Sequence, residues 1–183
     1  MPSPIGHSLL GLWFYALYHR YFKGWGLRRA LISIIIVANI PDIDAIPGLI
    51  FCKNIFVYHH YFTHSFVFAL LVSCLVAFFL SDKREKLLPV WTFFFLLIVS
   101  HLLADLMTEG ETTKYQKGIQ LFYPFSEKFF HSSRYIFYSF GQGSLSYLKK
   151  VLFEIVLLGI PLALFLTIPW KNKGKINSRP NTR

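Results

Sequence analysis

The chain predicts an all-α protein, a multi-pass membrane bundle of about five helices. Three observations predict it. Hydrophobic residues make up 54% of the 183 positions and charged residues only 15%, too few polar groups to cover a water-facing surface. Apolar stretches recur along the chain at the length of a bilayer crossing. The basic residues fall between those stretches rather than within them.

Taken in order, the first apolar stretch runs from Ser8 to Phe22 and the second from Leu27 to Ile40. Both fall short of the roughly 20 residues that cross a bilayer upright, which predicts tilted, re-entrant or internally packed helices. The third, Ser65 to Leu80 extended backward by Tyr61 and Phe62, and the fourth, Leu87 to Met107, are long enough to span. A fifth runs from Val151 to Trp170. Residues 1–170 therefore read as one membrane-embedded domain, and 171–183, rich in Lys, Asn, Arg and Gly, as a disordered basic tail. Between Glu109 and Lys150 the chain is loop-like and dense in aromatics, among them Phe122, Tyr123, Phe125, Phe129 and Phe130. This suits a segment lying at the membrane surface, as a roof over neighbouring residues or as packing against the bundle.

The net charge of +10 raises the question of nucleic acid, and the positions of the charges answer it. Arg20, Lys23, Arg28 and Arg29 flank one pair of apolar stretches, Lys83, Arg84 and Lys86 another, and the tail carries the rest. That is the pattern of cytoplasmic loops, and no nucleic-acid motif accompanies it, so no nucleic-acid partner is expected. No cationic region precedes the first apolar run and no small-residue cleavage motif follows it, which predicts no removable signal peptide. Cys52 and Cys74 belong to different environments, a loop and a mid-span, and predict no disulfide.

Threading the chain with loops 19–29, 81–86 and 171–183 on the cytoplasmic side puts the polar residues of the spans together at the outer face. His7 opens the first helix, Asp42 and Asp44 close the second, His60 and His64 open the third, and His101 and Asp105 close the fourth. Ionisable residues in such places are costly to keep and mark function. His60 and His64 are four apart, as are His101 and Asp105, a spacing that stacks side chains on one face of a helix. His59 can substitute for His60, because helix phase at a segment start is loose. Pro41 is expected to end the second helix, with Asp42 and Asp44 presented on one side of an extended segment.

Imidazole and carboxylate together suit a divalent metal, Zn first, with Mn or Fe also matching, and the lack of a nearby thiolate argues against a closed structural zinc site. The metal-ligand set is therefore His7, Asp42, Asp44, His60, His64, His101 and Asp105. Such a site suits hydrolysis, since the ion acidifies water and polarises a phosphoryl oxygen, with Asp44 or Glu109 handling the proton. Thr63, Ser65 and Ser100 flank the ligands and are candidates to orient them. Glu127 and His131 share the four-residue spacing within the aromatic loop, where a second metal site is the weaker reading. No nucleophile elbow, phosphate-binding loop or dinucleotide fingerprint is present in the sequence.

Pro4-Ile5-Gly6-His7-Ser8, Ile40-Pro41-Asp42-Ile43-Asp44, Thr63-His64-Ser65, Ser100-His101-Leu102-Leu103-Ala104-Asp105 and Gln120-Leu121-Phe122-Tyr123-Pro124-Phe125 resemble the bacterial inner-membrane metal-dependent hydrolases, also labelled LexA-binding membrane hydrolases. The resemblance implies a multi-pass inner-membrane protein and a metal-dependent hydrolase. A more distant similarity is to the zinc-dependent phospholipase C and P1 nuclease class, which implies His7, Asp42, His60 or His64, His101 and Asp105 as ligands. The chain departs from the closer pattern at Ala45, where histidine is usual, and at His60-Tyr61-Phe62, where His-Arg-Gly is usual. The functional expectation is a phosphoester hydrolase acting on a lipid or lipid-linked substrate. Its rivals are a transporter or metal-handling protein, and a scaffold that holds a cytoplasmic protein partner through its basic tail.

Overall fold

The computed structural model describes residues 1–22, 25–55, 57–81, 84–108, 118–138 and 143–167. Among these the protein is all-helical, with five helical segments. The first is α1 (Pro4–Tyr18), extended by a 3₁₀ turn at His19–Phe22. The second comprises α2 (Leu27–Asn39), a 3₁₀ turn at Ile40–Asp44 and α3 (Ala45–Cys52). Next come α4 (Phe66–Leu80) and α5 (Leu87–Leu106). The fifth comprises α6 (Ser144–Glu154), a π-helical turn at Ile155–Gly159 and α7 (Ile160–Thr167). Extended pairing is limited to isolated bridges, Thr108 with Phe137 and Ile119 with Phe130.

Among the described residues three segments are long and apolar enough to cross a membrane: Leu27–Cys52, Leu87–Leu106 and Ser144–Thr167. The second segment is therefore longer than its sequence suggests, because Pro41 does not stop it. Proline ends a helix by lacking an N–H and by crowding the preceding turn. Here Pro41 enters at the start of the tighter 3₁₀ turn, where its fixed φ is already helical and its missing N–H costs least. Asn39 donates its side-chain N–H to the Ile35 carbonyl at 2.8 Å, covering an acceptor beside the break. The expected extended placement of Asp42 and Asp44 is thus replaced by a helical turn.

The third segment is shorter than expected. Helix α4 has 15 residues, about 22 Å at 1.5 Å per residue, against roughly 30 Å of hydrocarbon. Residues 60–65 leave the helix: His60 takes a positive φ of 73°, Phe62–His64 form a 3₁₀ turn, and Ser65 is extended and caps α4 by accepting from Phe68 N–H.

Helix α5 is the hub. It packs against α1, α2 and α4, and 44% of its most apolar stretch is buried against 17% for Ser144–Thr167. Val90, Phe93, Phe94, Leu97, Ile98, His101, Leu102 and Asp105 recur at spacings of three and four, so one helix carries both core and site on the same side. Its partner α4 buries Ala69, Ser73 and Ala77, a small residue every fourth position, packs Val72 and Val76 beside them, and turns outward Leu71, Leu75, Phe78 and Phe79. Within lipid, helices gain little from hiding leucine but gain from close backbone approach, which small residues allow. The same logic brings α1 onto α2 at Gly11, where a Cβ would meet Ile34 Cγ2 at 2.9 Å and Ala38 Cβ at 3.3 Å.

Substituting Gly11→Val should therefore wedge α1 from α2 and cost about 1–3 kcal/mol, read as a lower thermal midpoint in detergent. Gly26→Ala, whose Cβ meets nothing within 4 Å, should leave the midpoint within about a degree.

Candidate metal centre

Alternating helices bring their polar ends together at one end of the bundle. His7 lies in the first turns of α1, whose start is capped by Ser3 accepting from Gly6 N–H. Asp42 and Asp44 come from the 3₁₀ turn after α2, and His101 and Asp105 from the last turns of α5. The loop before α4 supplies His59, His60 and His64. His7, His59, His60, His64, His101 and Asp105 are all buried.

Their ligating atoms form two adjoining groups, His7 with Asp42, His101 and Asp105, and His59 with His60 and His64, each group within 4.8 Å. Asp105 spans them. Its Oδ1 lies 3.5 Å from His7 Nε2. Its Oδ2 lies 3.2 Å from both His101 Nε2 and His64 Nε2, and 3.9 Å from His60 Nε2. Asp42 Oδ1 lies 3.4 Å from His101 Nε2, 3.6 Å from His59 Nε2 and 3.7 Å from His64 Nε2. The His7 and His101 rings stack with centroids 3.6 Å apart. Ligands about 2.1 Å from one tetrahedral ion lie roughly 3.4 Å from one another, so these spacings already match a shared shell.

The hydrogen bonds separate atoms that are anchored from atoms that are not. His101 Nδ1 faces the Ala38 carbonyl oxygen at 2.8 Å, so Nδ1 carries the proton it donates and Nε2 presents a lone pair to the cluster. Asp44 is an acceptor hub. Its Oδ1 accepts from His59 Nδ1 at 2.5 Å, and its Oδ2 accepts from His60 N–H at 3.1 Å, His64 Nδ1 at 3.2 Å and the Thr63 hydroxyl. With His64 Nδ1 so engaged, Nε2 faces Asp105 and Asp42. By contrast His7 Nδ1 and Nε2, His60 Nε2, and both carboxylate oxygens of Asp42 and of Asp105 have no hydrogen-bond partner. Buried polar atoms rarely go unpaired, and within this cluster the unpaired ones are carboxylate oxygens and imidazole nitrogens, the atom types that ligate a divalent ion. The residues fit the metal that the sequence implies.

His60 and His64, in the connection between helices, respond to this field. Burial, then the neighbouring His59 and His64, push His60 well below its ordinary value of 6.5, which keeps it a neutral donor. For His64, burial acts in the same direction, but Asp105, Asp42 and Asp44 overcome it and raise the imidazole well above 6.5. Three carboxylates thus hold a proton where a cation can replace it.

All seven ligand residues expected from sequence meet here, and His59 joins them beside His60 rather than in place of it. The geometric reason differs for one pair: His60 and His64 are not stacked on a helix face but are brought round by the turn at 60–64. The left-handed backbone of His60 is held from both sides, its N–H by Asp44 and its carbonyl by Gln120 N–H at 3.1 Å. Segment 118–138 therefore braces the site, and Phe66 N–H donates to Leu121 O at 2.9 Å alongside. Of the expected orienting hydroxyls, Thr63 reaches Asp44, Ser65 caps α4 and Ser100 bonds back to its own helix at Leu97 O. Glu109 and the tail 171–183 lie outside the described residues. Among the described residues neither metal-type group includes Glu127 or His131, and Cys52 and Cys74 are both free. Ala38 O and Gln120 N–H carried no signal in the sequence, since backbone groups have none.

An all-helical protein with apolar spans and a buried His/Asp cluster at one end of its bundle belongs among the helical membrane proteins. The profile of the YdjM inner membrane protein family matches residues 1–174, and the chain belongs to that family. It is also similar to inner membrane protein YbcI of Escherichia coli (strain K12), 36% identical over 108 residues, which are 56% of this chain and 58% of that relative's length. No solved structure matches the chain. These names carry the inner membrane and no activity.

Once pH passes the range near 6.5 in which unfolded His60 loses its proton, metal-free protein should lose stability as pH rises further. The raised His64 contributes fully below its unfolded value near 6.5, and its contribution is lost as pH climbs through the folded value. Zn²⁺ should restore stability increasingly over that alkaline window, because it no longer competes with the proton. Thermal unfolding with Zn²⁺ and with chelator, from pH 6 to 9, checks this; a gap between the two curves that narrows with pH would contradict it.

Proposed function

We propose that this protein is a membrane-embedded, divalent-metal-dependent hydrolase that cleaves a phosphoester, most simply in a lipid or lipid-linked headgroup. One observation carries the reading: the carboxylate oxygens of Asp42 and Asp105, both ring nitrogens of His7 and Nε2 of His60 converge buried and without hydrogen bonds. Leaving such atoms unsatisfied costs several kcal/mol in total, and a cation is the partner that satisfies them at once.

His7, Asp42, His101 and Asp105 would hold the metal, with His64, His60 and His59 extending the set toward a second ion. A divalent ion in such a site supplies Lewis acidity and an acidified water at neutral pH, Zn being the first candidate and Mn or Fe the alternatives. The protein's own residues do the positioning. His101 is fixed by the Ala38 carbonyl. His59, His60 and His64 are fixed by Asp44, whose four donors suit an orienting carboxylate better than a proton carrier. Glu109 stays the candidate for that proton, by its place four residues after Asp105 in the chain. Asp42, Asp44 and His60 keep side-chain exposures of 14%, 11% and 10% while the others are sealed, so a substrate would approach from that side.

The basic loops at 19–29 and 81–86 favour a multi-pass threading with this end at the outer face. Exposed Phe51, Tyr58, Tyr61, Phe62, Phe122 and Phe125 near it suit the headgroup layer, where a lipid's ester would lie. Passage of an ion is less well supported, because α5 continues away from the cluster through buried Leu97, Ile98, Phe94 and Val90.

Protein purified in detergent should contain stoichiometric divalent metal, and His101→Ala and Asp105→Ala should each abolish its retention. Stoichiometric metal in both variants would sink the proposal. Asp44→Asn should weaken metal binding about 10–100-fold without emptying the site. Hydrolysis of a chromogenic phosphodiester or of labelled phospholipid should disappear with chelator and return with Zn²⁺ or Mn²⁺.

A further inference from the structure

Glu154 lies in the middle of an apolar helical segment, is 1% exposed, and belongs to none of the metal-type groups. A carboxylate there is costly and marks a role. Both of its oxygens are engaged with one residue at the start of another helix: Oε1 accepts from Ser3 N–H at 2.7 Å and Oε2 from the Ser3 hydroxyl. Ser3 is the cap of α1. Its hydroxyl oxygen accepts from Gly6 N–H at 3.2 Å, and its carbonyl accepts from His7 N–H at 3.0 Å. A hydrogen-bonded chain thus runs from Glu154 through Ser3 to the backbone of His7.

Gly6 completes the fit. A Cβ there would lie 2.8 Å from both Glu154 Cδ and Oε2, so glycine is what lets the first turn of α1 close on the carboxylate. The negative charge also sits at the positive end of the α1 dipole. Two further ties join the same helices: Lys150, one turn before Glu154, donates Nζ to the Met1 carbonyl, and Trp13 Nε1 donates to Leu158 O at 2.9 Å within the π-helical turn. Meanwhile neither ring nitrogen of His7 has a hydrogen-bond partner, so the imidazole depends on its backbone for its register beside the His101 stack and the Asp105 carboxylate. We infer that Glu154 is a positioning residue for the metal centre, acting through Ser3 and Gly6 to hold the first turn of α1 so that His7 meets Asp105 and His101. This rests on the metal reading above.

The test is a cycle of variants measured for Zn²⁺ affinity by chelator competition in detergent: wild type, His7→Ala, Glu154→Ala, Glu154→Gln and the double variant His7→Ala/Glu154→Ala. Glu154→Ala should weaken Zn²⁺ binding at least tenfold. Glu154→Gln should recover most of the loss, because an amide can still accept from Ser3 N–H and donate to its hydroxyl. In the His7→Ala background Glu154→Ala should have no further effect, the signature of action through His7. Amide exchange at Gly6 and His7 should quicken in Glu154→Ala and not in Glu154→Gln. If Glu154→Ala does not fold, Ser3→Ala takes its place in the same cycle. Additive losses, or wild-type affinity in Glu154→Ala, would overturn this inference alone. A wild-type protein that binds no Zn²⁺, Mn²⁺ or Fe²⁺ would overturn the metal reading and this inference with it.

Discussion

The constraint on which the structure turns is electrostatic. Asp42, Asp44 and Asp105 are drawn into one end of an apolar bundle, where like charges repel and water is scarce. Only Asp44 is compensated by hydrogen bonds. Asp42 and Asp105 are met by imidazole nitrogens at distances of 3.2 to 3.9 Å, without hydrogen-bond geometry. Buried, uncompensated carboxylates cost folding free energy, and that cost is what singles this end of the bundle out as a candidate site.

That constraint explains why the rigid and irregular parts of the molecule are distributed as they are. Helix α5 is buried on the side that carries both Phe94, Leu97 and Leu102 and His101 and Asp105, so packing and ligand placement are one event. Small residues at Gly11, Ala69, Ser73 and Ala77 let its neighbours approach closely. Three departures from regular helix lie at the end that carries the cluster: the 3₁₀ turn that holds Pro41, the left-handed His60 and the turn at Phe62–His64. Backbone irregularity deep in a membrane protein survives where polar groups satisfy it, and here Asp44 and Gln120 do so.

Part of this was legible in the sequence. Hydropathy and the placement of Arg and Lys give an all-helical membrane protein, and the His101–Asp105 spacing reads correctly because α5 is a plain helix there. The grouping of His7, Asp42 and His64 follows from topology alone, since successive crossings alternate ends. The rest was hidden for identifiable reasons. Pro41 reads as a stop by local rules, yet tertiary context lets the segment run on to Cys52. The four-residue spacing of His60 and His64 suggests a helix, while the actual geometry comes from a positive φ stabilised by a carboxylate sixteen residues away and a backbone N–H sixty residues away. Glu154 in an apolar run carries no periodic signal linking it to Ser3, because that pairing spans most of the chain.

The two acidic residues of Asp42-Ile43-Asp44 divide the work in a way their shared spacing does not reveal. Both lie in the same 3₁₀ turn, two residues apart, yet Asp44 meets four donors and Asp42 meets none. Full compensation makes Asp44 rigid and chemically quiet, fit to fix the tautomers of His59 and His64. An uncompensated Asp42 retains its lone pairs for an incoming cation. Pro41 makes this split possible: by tightening the helix at Ile40–Asp44 it turns Asp44 outward to the His59–His64 loop while leaving Asp42 facing α5. Two residues turn through about 240° in the 3₁₀ helix against about 200° in an α-helix, so the tighter turn brings the two carboxylates nearer to one side.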